Sequence, residues 1–284
     1  MVIRGKEVRN LDGLNPRTME EMLEEFREGV KELRKKFGLR VSLPRVLAVL
    51  IEFPCPARCL AELKPKPQRP IDHFYLGRHE YIRRLLIAHL RLRLKKEGLD
   101  VSVRAENKGE YGTGDVDIEY NRTSVDLSIR SFKLRIEVKG GEGFAIDQVL
   151  RYLLDANAVI LCLAGKGHAI TISRSKVKPL LEFQLMIALE NLKHLLDGDK
   201  SLLPGRWCTG CPVVCPYARP ITSIKHEPDL NGEFVEKATK WRKAIEETVN
   251  QAVELLKKVR KTDEKLANHK RPNRRLEKPT PNGR

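Results

Sequence analysis

Gly114-Asp115-Val116-Asp117, Ile136-Glu137-Val138-Lys139 and Gln148-Val149-Leu150-Arg151-Tyr152 follow one another along the chain. Val116 and Ile118 alternate with acids, and so do Leu134, Ile136 and Val138, so both stretches predict half-buried strands. Residues two apart on a strand share a face, which points Glu137 and Lys139 the same way. Two carboxylates and an ammonium converging on one point suit a hard divalent cation and hydrolysis of a phosphodiester. Asp117 and Glu137 are the expected acids, with the Val138 carbonyl as a further ligand. Lys139 is expected to position the attacking water, and Gln148 and Tyr152, one helical turn apart, to orient that lysine or the nucleic acid.

Taken in this order, the residues resemble the PD-(D/E)XK nuclease superfamily and, within it, the RecB-like branch. That branch places a Q-x-x-x-Y helix after the lysine strand, as Gln148 and Tyr152 do here. It also carries a histidine on an upstream helix, which Gly77-Arg78-His79-Glu80 resembles. The resemblance covers most of residues 50–220. It implies a restriction-endonuclease-like mixed sheet, Mg²⁺ or Mn²⁺ as cofactor, and His79 beside the two acids at the metal. Asp117 fits the family's G-x-x-D pattern. Asp115 and Asp126 are the rival first acids, since twenty positions separate Asp117 from Glu137 and that insert holds Val125-Asp126-Leu127.

Six cysteines are present, three of them in Cys208-x2-Cys211-x3-Cys215 and two in Cys55-Pro56-Ala57-Arg58-Cys59. No signal peptide precedes them, so a cytoplasmic, reducing setting is expected and disulfides are not the first reading. Three close thiolates and a distant fourth suit zinc or an iron–sulfur cluster. Some RecB-like nucleases, including the CRISPR-associated adaptation nucleases (Cas-four), carry one cysteine before the core and three after it, around a [4Fe–4S] cluster. Cys55-Pro56-Ala57-Arg58 resembles their first-cysteine run. The resemblance therefore implies Cys55, Cys208, Cys211 and Cys215 as ligands, with Cys59 as the alternative to Cys55 and zinc as the alternative metal. It also implies protein partners in a CRISPR adaptation or recombinational repair complex. Cys162, within Ala158-Val-Ile-Leu-Cys-Leu-Ala164, predicts a small apolar residue in a buried strand.

The chain has 284 residues, a formal net charge of +16 and 32% charged residues. Abundant Lys, Arg and Glu is the habit of thermophile surfaces, but the excess of cations calls for a polyanionic partner such as DNA. Aromatic residues make up only 6%, so phosphate contacts should outweigh base stacking. Arg83, Arg84, Arg91 and Lys95 on a helix over 77–97 are the expected DNA contacts. No apolar run approaches the eighteen or more residues of a membrane span. The family reading adds a preference for single-stranded DNA or free ends, with exonuclease action ahead of a structure-specific endonuclease or a non-catalytic DNA-binding subunit of the same fold.

The elements that must position these residues are legible as an α/β arrangement. Met19, Met22, Leu23, Phe26, Val30, Leu33 and Phe37 recur at helical steps, with Thr18 and Glu21 as a capping box and Gly38 as a stop. A short helix follows Pro44. The helix over 77–97 has Ile82, Leu85, Leu86, His89 and Leu90 on its inner side. Strands are expected at 100–106, 115–120, 124–130, 133–139, 158–163 and 168–172, with helices over 144–155, 176–196 and 233–261. Residues 1–40 read as an N-terminal helical segment, 41–220 as the nuclease domain, and 221–284 as a helical extension with a basic, disordered tail that could grip nucleic acid.

Overall fold

The strand Phe132–Lys139 (β5) has buried positions on both faces, so it lies in the middle of a sheet with layers on either side. In the computed structural model, which describes residues 18–53, 55–64, 73–106, 108–120, 131–140, 146–199, 202, 208, 211–213, 215–217 and 233–269, it is the third of five strands. The order across the sheet is Ser102–Ala105 (β1), Val116–Tyr120 (β4), β5, Ala158–Leu163 (β6) and His168–Ser173 (β7). Lys108–Gly109 (β2) and Gly112–Thr113 (β3) form a separate hairpin between β1 and β4. β5 and β6 run parallel, joined through the helix Ile146–Tyr152 (α5); the other neighbours in the sheet are antiparallel. The fold is thus α/β with a mixed sheet flanked by helices.

Side-chain alternation divides the core into two layers. Val159, Leu161 and Leu163 of β6 face one layer, built from Met19–Phe37 (α1), Leu43–Glu52 (α2), Pro56–Leu63 (α3), α5 and Arg174–Leu196 (α6). Ala158, Ile160 and Cys162, with Val116, Ile118, Leu134, Ile136 and Val138, face the other, covered by His73–Lys96 (α4) and Glu233–His269 (α7). The capping box of α1 forms, with Glu21 N–H donating to Thr18 Oγ1 at 3.2 Å and Thr18 N–H to Glu21 Oε2 at 2.7 Å. Gly38 ends the helix at φ 62°, a left-handed turn that glycine adopts without a Cβ clash.

Several expectations change once packing is seen. Trp241, Ala244, Ile245, Ala252 and Leu256 of α7 are core residues of the second layer, so the segment beyond residue 220 supplies core to the sheet through this helix. The same holds for α1, which packs along α6. His89 faces solvent, because the inward stripe of α4 is Ile82, Leu86, Leu90 and Leu94. Leu180 and Phe183 of α6 are exposed, while Leu181 and Leu185 point inward. Cys162 is fully buried as expected. The strand at 124–130 and the tail at 270–284 lie outside the described residues.

One edge of the sheet is closed by side chains. Glu247 Oε2 accepts from the Ala169 N–H at 3.1 Å, and Gln251 Nε2 donates to the Ala169 carbonyl at 3.0 Å.

On the α5 side of the sheet, Asp117 and Arg135 are register partners on β4 and β5, both fully buried. Arg135 Nε donates to Asp117 Oδ1 at 2.8 Å and Nη2 to Oδ2 at 3.0 Å, a two-point pairing. Gly114 makes room for it, since a Cβ there would stand 2.6 Å from both Cγ and Cδ of Arg135. Removing one partner of a buried pair strands the other charge. Asp117→Asn should therefore cost about 3–5 kcal/mol of stability. Gly114→Ala should also destabilise, by pushing the arginine aside; urea denaturation midpoints measure both.

Candidate functional site

Lys139 is the last residue of β5, and Glu137 precedes it on the same face. The α5 helix brings Gln148 and Tyr152 over that face, four residues apart and so on one side of the helix. The four side chains form a closed hydrogen-bonded set. Lys139 Nζ donates to Glu137 Oε1 and to Gln148 Oε1, each at 2.7 Å. Gln148 Nε2 donates to Glu137 Oε1 at 2.8 Å and to the Tyr152 hydroxyl at 2.6 Å. Behind them, the Arg135 guanidinium lies 4.9 Å from the centre of the Tyr152 ring, which ties the set to the buried Asp117–Arg135 pair.

The first acid is where the structure departs from expectation. Asp117 shares the face of Glu137, but both its oxygens are taken by Arg135, and it is fully buried. Asp115 instead stands at the edge of the site. The β4–β5 register pairs Val116 with Ile136 and Asp117 with Arg135, so its continuation sets Asp115 opposite Glu137. Asp115 Oδ2 accepts from the Val138 N–H at 2.7 Å, and Oδ1 lies 3.3 Å from His79 Nε2. His79 comes from the opposite layer, on α4, and its Nε2 is also 3.2 Å from the Val138 carbonyl oxygen. Asp126, the other rival, lies outside the described residues.

The electrostatics follow from this crowding. Burial pushes the Glu137 carboxyl above its ordinary range, and the nearby Asp115 charge pushes it further, against the pull of Lys139. His79 is raised chiefly by its hydrogen bond to Asp115. The Tyr152 phenol is raised by burial and then by Glu137. Among the described residues, no three His, Cys, Asp or Glu side chains already stand in a metal-holding arrangement. Glu137 Oε1 is instead turned to Lys139 and Gln148.

The cysteines separate by environment. Cys59 is buried, its thiol donates to the Phe53 carbonyl at 2.7 Å, and burial followed by the nearby Cys55 lifts it to about 12. A thiol so held is a poor source of thiolate on its own. Cys55 is buried at the N-terminal end of α3. The Cys211 N–H donates to the Cys208 carbonyl at 3.3 Å; Cys208 is buried, and Cys211 and Cys215 are half-buried. None of the six cysteines forms a disulfide.

The expected DNA contacts also divide. Arg83 is committed to Glu80 and Glu106, with its side chain only 11% exposed, so it does not belong to an open binding face. Arg84, Arg91 and Lys95 are exposed. Spaced seven and four residues apart, they share the outer side of α4. Sequence reasoning missed Arg78, which lies against Gly140 immediately after Lys139. It also missed Arg135, although an arginine alternating with Leu134 and Ile136 on a central strand signals a buried acidic partner. Among the described residues, no helix is long and apolar enough to cross a membrane. Compared with protein-family models, curated proteins and solved structures, the chain matches none of them.

If the outer side of α4 tracks DNA phosphates, Arg84→Ala, Arg91→Ala and Lys95→Ala should each lower affinity and reduce the slope of log affinity against log salt by about one. Arg83→Ala should leave that slope unchanged. Salt titrations by fluorescence anisotropy make the comparison.

Proposed function

We propose that the chain is a Mg²⁺- or Mn²⁺-dependent deoxyribonuclease acting from free DNA ends. The reading is carried by the closed set of Lys139, Glu137, Gln148 and Tyr152 standing beside Asp115 and His79. The residues fit a hard divalent cation: Asp115, Glu137 and the Val138 carbonyl are oxygen donors, and burial together with the Asp115 charge makes Glu137 costly to ionise without a cation. Bound there, a cation would polarise a phosphate oxygen and acidify a water. His79, already beside both Asp115 and the Val138 carbonyl, is placed to complete that ligand set.

The remaining work belongs to the chain itself. Lys139 presents an ammonium that can orient the attacking water and offset charge gathering on the phosphate oxygens. Gln148 fixes the lysine by accepting from its ammonium and fixes Glu137 by donating to it. Tyr152 accepts from Gln148 and so sets which way that amide points. Asp117 acts from below, by anchoring Arg135 under the Tyr152 ring.

We further propose that Cys55, Cys208, Cys211 and Cys215 hold a [4Fe–4S] cluster with a structural role, since hydrolysis transfers no electrons. Four thiols suit either iron–sulfur or zinc, and the likeness of Cys55-Pro56-Ala57-Arg58 to the cluster-bearing nucleases favours the former. The pathway is adaptation of CRISPR arrays or recombinational repair, in complex with the proteins of that pathway.

End-labelled linear single- and double-stranded DNA, alongside a circle, tests the activity with Mg²⁺ or Mn²⁺ added. Linear DNA should be degraded and the circle spared. Glu137→Ala, Lys139→Ala and Asp115→Asn should each lose at least about 10²-fold in rate while still binding DNA. Undiminished cleavage by the Glu137 and Lys139 variants overturns the assignment, and cutting of the circle makes the enzyme an endonuclease. For the cysteines, metal analysis of protein purified without oxygen should find iron and sulfide, lost in Cys211→Ala and retained in Cys59→Ala. Stoichiometric zinc would replace the cluster with a zinc site.

A further inference from the structure

Arg78 and His79 are neighbours on α4, but a helix turns about 100° per residue, so they serve different places. His79 reaches the Val138 carbonyl, whereas Arg78 lies over Gly140, one residue beyond Lys139. A Cβ added at Gly140 would stand 3.3 Å from Arg78 Nε, 3.6 Å from Nη2 and 3.7 Å from Cζ. Three atoms of one group this close mean that any side chain at position 140 would crowd the guanidinium. Gly140 is buried and its φ lies outside the left-handed region that favours glycine, so its lack of a side chain serves this close approach rather than a turn.

The position matters for a polyanion entering a site that already holds Asp115 and Glu137. Arg78 places a positive charge at the end of β5 beside Lys139, half-buried and therefore less screened by water than the cations on the outer side of α4. The planar fork of a guanidinium suits two-point contact with the non-bridging oxygens of a phosphate.

We propose that Arg78, seated on the bare backbone of Gly140, is a phosphate-binding residue that takes the phosphodiester flanking the bond to be cut. The inference rests on the nuclease reading above. It assigns Arg78 to binding and register along the strand, leaving the chemical step to Lys139 and the acids.

The test uses the full-length protein and linear oligonucleotides. Some carry a single neutral methylphosphonate linkage moved stepwise past the cleavage position, and others end in a 5′-phosphate or a 5′-hydroxyl. Arg78→Ala should raise KM roughly 10- to 100-fold, the loss expected for a charged hydrogen bond, with kcat little changed. Arg78→Lys should recover part of that loss, since lysine keeps the charge without the two-point geometry. Gly140→Ala should raise KM in the same direction while leaving Arg78 in the chain, and thermal unfolding checks that each variant is folded. In the wild type, one methylphosphonate beside the cleavage position should reproduce the defect, and Arg78→Ala should be indifferent to it. Wild-type KM in Arg78→Ala, or a methylphosphonate effect that persists in it, overturns the proposal. A defect confined to 5′-phosphorylated ends also overturns it, because the residue would then read a terminus. Anisotropy binding in EDTA repeats the methylphosphonate comparison without cleavage. An inactive wild type would defeat the nuclease reading while this arm still decides whether Arg78 meets a phosphate.

Discussion

The buried pairing of Asp117 with Arg135 is the interaction on which the site depends. Two ions taken out of water are expensive, and they are tolerated because the geometry satisfies both in two places at once. Lys133 and Asp155 extend the pair into a cluster at the base of the sheet, with Lys133 Nζ 3.2 Å from Asp155 Oδ2 and Arg135 Nη1 3.3 Å from Asp155 Oδ1. From there the order passes upward through the Tyr152 ring to Gln148, and through Gln148 to both Glu137 and Lys139. Each member fixes the next, so Lys139 is oriented through a relay that begins in the core. A site assembled in this way is rigid at the root and responsive at the tip.

The same pair explains what the sequence did and did not disclose. Periodicity located β4, β5, β6, β7 and the long helices, because alternation and helical spacing are direct imprints of burial. It also placed Glu137, Lys139, Gln148 and Tyr152 together. It could not tell the environments of the rival acids apart, since Asp115 and Asp117 share a face and differ only in what lies opposite. Asp115 meets a backbone N–H and a histidine, while Asp117 meets an arginine. The one local cue was Arg135 itself, alternating with apolar residues where no cation could sit without a partner. Gly114 carried a second cue, for its place in the motif is set by the room that arginine needs.

Helix faces were harder to read for a different reason. In α4 and α6 leucines recur so densely that several stripes satisfy helical spacing, and only the neighbouring layers choose among them. His89 fits an inner stripe by spacing alone, yet the neighbouring layers leave it in solvent. Arg83 was counted as part of a basic surface because its acidic partner Glu106 is remote in sequence, at the end of β1. The α3 helix and the β2–β3 hairpin escaped notice because elements this short carry too few positions for a period.

Closure of the β7 edge by Glu247 and Gln251 has a consequence for how molecules of this protein meet. The N–H and carbonyl of Ala169 are what an incoming strand would seek, and α7 occupies both. Pairing of another chain at Ala169 is therefore disfavoured on that flank. The helix that does this is also the one that fills the second core layer, so the two capping side chains are carried on an element anchored by Trp241 and Ile245. Strand-to-strand association through this part of β7 must first displace Glu247 and Gln251, a local guard against growth along the sheet's own hydrogen-bond ladder.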